Sequence, residues 1–229
     1  MDRNSIKFYN AFFGTFLLLQ IIFWFPSHKI KPELGIVPPV PGELVIKATS
    51  FGDEQLYFRM LGMEIQNAGD SFGRFTALKE YDYPKLYQWF TLLDKLDNKS
   101  DYIASIAGYY YSQTQNTPDV IHVVKYLDEH SSRYPEKKWW WLSQAVYLAN
   151  HKLKDKKLAL DLAYKLAATP GIPMWAKQMP AFIHEQLGEK HEALLIIKNI
   201  LDNHKDLTEY ELNFMNYFIK DRLDKIVGE

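Results

Sequence analysis

Residues 141 to 201 repeat themselves at an offset of 34. Trp141 maps onto Trp175, Ala145 onto Met179, Leu148 onto Phe182, Leu153 onto Leu187, and Ala159-Leu160 onto Ala193-Leu194. A period of that length suits helix–turn–helix units, which cannot bury an apolar face singly and gain a core only by stacking. The small Ala159 and Ala193 would let a paired helix come close, and Gly188 stands where the chain reverses between helices.

The segment from Glu185 to Leu201, EQLGEKHEALLIIKNIL, resembles the turn and second helix of a tetratricopeptide repeat. The resemblance covers residues 137 to 204 best and extends more loosely over 51 to 136. It implies an all-α fold, an α-solenoid of helix–turn–helix pairs, and a protein-binding scaffold; it transfers no functional residues. Apolar residues upstream recur at helical spacing: Leu56, Met60 and Met63; Leu86, Phe90 and Leu93; Ile103, Ala107 and Tyr110; Val120, Val124 and Leu127. Each set predicts one buried stripe. Pro180, inside the helix expected over 173–187, predicts a kink or a restart. The last helix, with Tyr210, Phe214, Tyr217 and Phe218, is expected to cap the stack.

From Phe8 to Phe25 there is no charged side chain, and a helix of 18 residues covers roughly 27 Å, about the thickness of a bilayer's hydrocarbon core. Tyr9 and Trp24 stand at its ends, with Arg3 and Lys7 before it and Lys29 and Lys31 after it. No small-x-small cleavage site follows, so a retained anchor is expected over residues 1–27, crossing at 8–25. The flanking basic residues balance, so they do not orient the span. A short amino tail is most easily left in the cytoplasm, which sends the body into the periplasm from an inner, cytoplasmic membrane. Five of the eleven prolines fall between Pro26 and Pro41, so 28–50 is expected as a spacer and 51–229 as the folded domain.

The net charge of −1 gives no electrostatic footprint for nucleic acid. Cysteine is absent from the sequence, which excludes disulfides, thiolate metal sites and a cysteine nucleophile. Gly69-Asp70-Ser71-Phe72-Gly73 has the G-x-S-x-G spacing of a nucleophile elbow, but the elbow needs a strand before Ser71 and a helix directly after it. A helical pattern precedes Ser71 instead, and a turn closing the first helix is expected. His184-Glu185 begins like H-E-x-x-H, but Gly188 occupies the second ligand's place, so no metal or cofactor is expected. The remaining histidines read as solvated or core-edge residues.

Candidate partner contacts are the aromatic runs Tyr109-Tyr110-Tyr111 and Trp139-Trp140-Trp141. Three consecutive helical positions step around by about 100° each, so all three rings of a run cannot face one core. Tyr109, Tyr111, Trp139 and Trp140 are therefore candidates for a binding surface, with Lys137-Lys138 beside them as an exposed helix start. Arg74 is a fifth candidate, in a long polar loop where it could instead pair with Asp70 or Asp82. These features together suggest an assembly factor of a bacterial cell envelope that docks a protein or peptide partner and performs no chemistry. The alternatives are a permanent subunit of a membrane complex and a serine hydrolase using Ser71.

Overall fold

The computed structural model describes residues 3–29, 35–71, 74–203 and 207–223. Regular structure there is helical, apart from a two-residue antiparallel ladder that pairs Asp70 with Phe75 and Ser71 with Arg74. The protein is therefore all-α. Helix α1 (Arg3–Ser27) carries the uncharged run. Its 21 residues from Lys7 to Ser27 are long and apolar enough to cross a membrane, and none of that window is buried against the protein. Pro26 lies within its last turn.

The segment expected as a spacer is partly packed, which moves the start of the body ahead of residue 51. Helix α2 (Glu43–Thr49) forms within it, and Val37 and Ile46 are buried in the same core as the later helices. The buried Trp89 donates its indole N–H to the Pro38 carbonyl at 2.8 Å. Proline fixes the backbone in an extended form before docking, so this stretch loses little conformational freedom when it packs.

The body continues through α3 (Glu54–Gln66), α4 (Tyr83–Leu96) and α5 (Tyr102–Ser105), which runs on as a π turn (Ile106–Tyr110) and a 3₁₀ turn (Tyr111–Gln113). Next come α6 (Val120–Ser132), α7 (Pro135–Leu148) with a π turn at Ala149–Leu153, and α8 (Lys156–Ala167). The chain then forms α9 (Met174–Lys177), α10 (Met179–Gln186), α11 (Lys190–Asn203) and α12 (Glu209–Tyr217), extended by a π turn (Phe218–Leu223). Asp53, Asp82 and Asp155 start α3, α4 and α8 alike, each accepting the backbone N–H three residues on at 2.9 Å. Pro180 falls in the first turn of α10, where its missing N–H costs nothing, so the helix restarts there after α9.

Packing joins elements close in sequence: α3 with α4, α4 with α6, α6 with α7, α7 with α8, α8 with α10, and α10 with α11. The stripes of Leu86, Phe90 and Leu93 and of Val120, Val124 and Leu127 are buried as their spacing requires. Helix α3 is not arranged as expected. Its buried face is Phe58, Leu61, Gly62 and Ile65, and Leu56, Met60 and Met63 face outward. Gly62 decides the choice, since a Cβ there would lie 2.7 Å from the Tyr102 ring. At the other end, Met215 and Phe218 fill the interface with α10 and α11, whereas Tyr210 and Tyr217 are exposed.

The carbonyls at the end of α3 are satisfied by distant hydroxyls. Tyr111 donates to Ile65 O and Tyr81 to Ala68 O, both at 2.5 Å, and Tyr83 donates to Tyr111 O at 2.7 Å. Ile65 O also accepts the Ala68 N–H at 3.2 Å, and Gly69 leaves the helix at φ 79°, so the hydroxyls reinforce a local turn by filling the remaining acceptor sites of these carbonyls.

The 34-residue register persists in the backbone. Lys154, before α8, has φ 57°, and Gly188, at the equivalent place before α11, has φ 82°. Both turns use a left-handed residue, but only glycine adopts that conformation without a Cβ penalty. Lys154→Gly should therefore stabilise the protein by about 1 kcal/mol and Gly188→Ala should destabilise it by a similar amount. The space around a Cβ at Gly188 is open, so urea denaturation of the two variants reads the backbone effect alone.

Candidate partner-binding face

The tyrosine run at 109–111 sends its rings in three directions. Tyr111 is fully buried, ringed by Tyr81, Tyr83 and Phe90, and so leaves the set of surface candidates. The π turn explains this placement, because its wider loop delays the helical register and gives the inward place to Tyr111 in place of Tyr110. Tyr110 instead lines a cleft of about 350 Å³ with Gln66, Asp70, Thr76 and Tyr81. Tyr109 remains 52% exposed and accepts the Trp140 indole N–H at 2.8 Å.

The tryptophan run divides in the same way. Trp141 is buried over Gly108 and packs against Tyr109 with ring centroids 5.5 Å apart. Trp140 is 40% exposed, and Trp139 is half-buried. Both meet Trp175 of α9 edge-on, at 6.2 and 5.4 Å. Trp175 also stays 40% exposed, unlike Trp141, its partner in the repeat. The restart at Pro180 separates α9 from the rest of its helix, so Trp175 does not inherit the inward position of Trp141. Tyr147, two turns along α7 from Trp140, is exposed on the same side. Tyr109, Trp140 and Trp175 thus form one surface from α5's continuation, α7 and α9.

Arg74 lies elsewhere, on the short ladder, and its side chain is outside the described residues, so its expected pairing with Asp70 or Asp82 is too. The same ladder pairs Ser71 with Arg74, and among the described residues the next element after it is a strand rather than the helix an elbow needs.

A buried polar network lies behind the tryptophan face. Lys138, expected at an exposed helix start, is only 4% exposed. It donates to Asn98 O at 2.5 Å and to His130 Nε2 at 2.7 Å. His130 is itself buried and holds Asp94 through Nδ1 at 2.5 Å, while Arg133 bridges the second Asp94 oxygen at 3.0 Å. His184 is buried as well, between Glu189 at 2.6 Å and the Tyr164 hydroxyl at 2.7 Å. Both histidines therefore belong to the packed interior. Burial lowers the Lys138 pKa, against the pull of Asp101, Asp94 and Asp97. These contacts cross-link α4, α6, α7 and the turn before α5, and hold Trp139 and Trp140 in place on α7.

No family model matches the chain, and no curated protein or solved structure is similar to it. The aromatic face must be judged on its own chemistry. It offers flat, rigid rings with polar tips, the side chains that dominate hot spots in protein interfaces.

Asp94→Ala should cost about 1–3 kcal/mol in urea denaturation, because it leaves the buried His130 Nδ1–H and the Tyr126 hydroxyl without their acceptor and removes the ion pair to the exposed Arg133. A second prediction concerns alkali. Burial pushes the Tyr81 and Tyr83 hydroxyls up to about 12, and holds those of Tyr111 and Tyr126 well above their ordinary value of 10.0. The folded state favours these protonated phenols, so their contribution is complete below pH 10.0 and is lost as pH rises through about 12. Lys138 acts in the opposite sense, but its gain ends at 10.5, the ordinary value. The urea midpoint should therefore fall steadily from pH 10.5 towards 12, and Tyr83→Phe should make that fall shallower.

Proposed function

We propose that this chain is a membrane-anchored, tetratricopeptide-like α-solenoid that docks a protein or peptide partner, acting as a scaffold or assembly factor beside an inner membrane. The observation that carries this reading is the surface of Tyr109, Trp140 and Trp175, contributed by three successive elements of the helical body. In a stack of helical pairs, such positions on successive first helices line a common groove, and an extended peptide or a helix can lie across them. The matched left-handed turns at Lys154 and Gly188, and the buried Ala159 and Ala193, support the repeat. The apolar helix α1 supports the anchor; the short amino tail left in the cytoplasm is the ground for putting the body on the periplasmic side. Confinement at the bilayer raises the effective concentration of a membrane-bound partner without any new contact.

A second reading, a permanent subunit of a membrane complex, draws on the other aromatic surface, formed by Tyr210, Phe214 and Tyr217 on α12. Direct mass measurement in mild detergent separates the two, since an obligate subunit does not purify as a monomer.

The docking face is tested by placing a photo-crosslinking amino acid at Tyr109, Trp140 or Trp175 in the full chain in native membranes, with Leu195 on α11 as an exposed control. Adducts of one defined mass should arise from the first three positions and not from Leu195. Trp140→Ala should lower the yield of adduct from Tyr109 while costing about 1–2 kcal/mol of stability through the lost hydrogen bond to Tyr109 and ring contacts, so that the body stays folded. Equal adducts at all four positions, or none at the first three, would reject the face.

A further inference from the structure

Helix α3 has two apolar faces, and only one of them is covered. Phe58, Leu61 and Ile65 are buried, while Leu56, Met60 and Met63, at helical spacing on the other side, are 54%, 57% and 61% exposed. At about 100° per residue Arg59 and Glu64 border this outer stripe on opposite edges, and Glu54 lies towards the buried face. Immediately ahead of the helix, Phe51 is 95% exposed and held at φ 48°, a conformation that bulky side chains seldom adopt, followed by Gly52 at φ 88°. A strained backbone that pushes an aromatic ring into solvent, beside an apolar stripe edged by one cation and one anion, points to a surface with a partner.

The chain's own path selects that partner. Pro38 is fixed on the body by the Trp89 hydrogen bond, and only ten residues separate it from Ser27, the last residue of α1. Eleven residue steps reach at most about 40 Å, roughly one bilayer thickness. Ile46, packed in the core near Leu92 and Leu96, then fixes α2 against the same end of the body from which Phe51 and α3 follow. The uncovered stripe therefore belongs to the part of the body that follows most directly from α1 along the chain, within reach of the bilayer surface.

We propose that the Phe51–Met63 face is a lipid-docking surface, seated at the headgroup–acyl boundary of the bilayer that α1 crosses. Phe51, Leu56, Met60 and Met63 enter the boundary, and Arg59 meets lipid phosphates, the pattern of an interfacial amphipathic helix. Methionine is flexible enough to fit the irregular packing of that zone. This proposal rests on the membrane reading of α1, and its test is arranged to separate the two.

The sequence contains no cysteine, so single substitutions can be labelled cleanly in the full-length chain. Gly14→Cys, Phe51→Cys, Met60→Cys and Leu195→Cys would each carry an environment-sensitive fluorophore. The labelled proteins would be reconstituted into phosphatidylcholine–phosphatidylglycerol vesicles containing acyl-chain spin-labelled lipid. The expected result is loss of emission at 14, 51 and 60, with 195 unaffected. Loss at 14 alone, with 51 and 60 behaving like 195, would overturn lipid docking and leave the anchor standing. Emission at 51 and 60 that is blue-shifted but unquenched would mean that protein, a second copy or a partner, covers the face, and would also overturn it. No loss at 14 would remove the anchor and this proposal together.

Discussion

Every α-helical run from α3 to α12 has 14 residues or fewer. Helices of that length are marginal in water by themselves, so each depends on apolar contact with a neighbour for its existence. The body answers this constraint locally. Aspartate caps set where α3, α4 and α8 begin, and small residues such as Ala159 and Ala193 let the next helix approach. A body built of such mutual supports leaves the first and last helices with one partner fewer than the rest. That is where the exposed apolar side chains of α3 and α12 lie.

Much of the fold could be read from spacing alone. Leu86, Phe90 and Leu93, and Val120, Val124 and Leu127, are stripes with a single possible inward side, and both are buried. Helix α3 shows the limit of that reading. It carries two apolar stripes, and periodicity cannot say which meets a partner; the answer depended on Gly62 receiving the ring of Tyr102, a contact across 40 residues of sequence. The packed part of the Pro-rich segment was hidden for a similar reason, because its partner, Trp89, lies 51 residues from Pro38.

The aromatic face was legible in part. Consecutive rings had to diverge, and Tyr109, Trp139 and Trp140 do reach or approach the surface. Tyr111 does not, because a π turn leaves no mark in hydrophobic spacing yet shifts every position after it. The repeat pairs Trp175 with Trp141 and gives it no surface role; the sequence signal for its exposure is Pro180, which implies a break in the helix. The charge of Lys138 predicts a solvated side chain, because charge alone does not disclose His130 and the Asn98 carbonyl eight and forty residues away.

The tyrosine hydroxyls at the end of α3 carry a consequence for how the chain acquires its form. The local turn through Asn67 and the left-handed Gly69 ends that helix, and its outer carbonyls are completed by side chains 13 and 46 positions away, Tyr81 and Tyr111. A nascent chain that has made residues 54–69 but not yet 111 holds the helix without these later contacts. Its local turn can form at once, but the Ile65 and Ala68 carbonyls gain their hydroxyl partners only once the later segment has folded back to meet them.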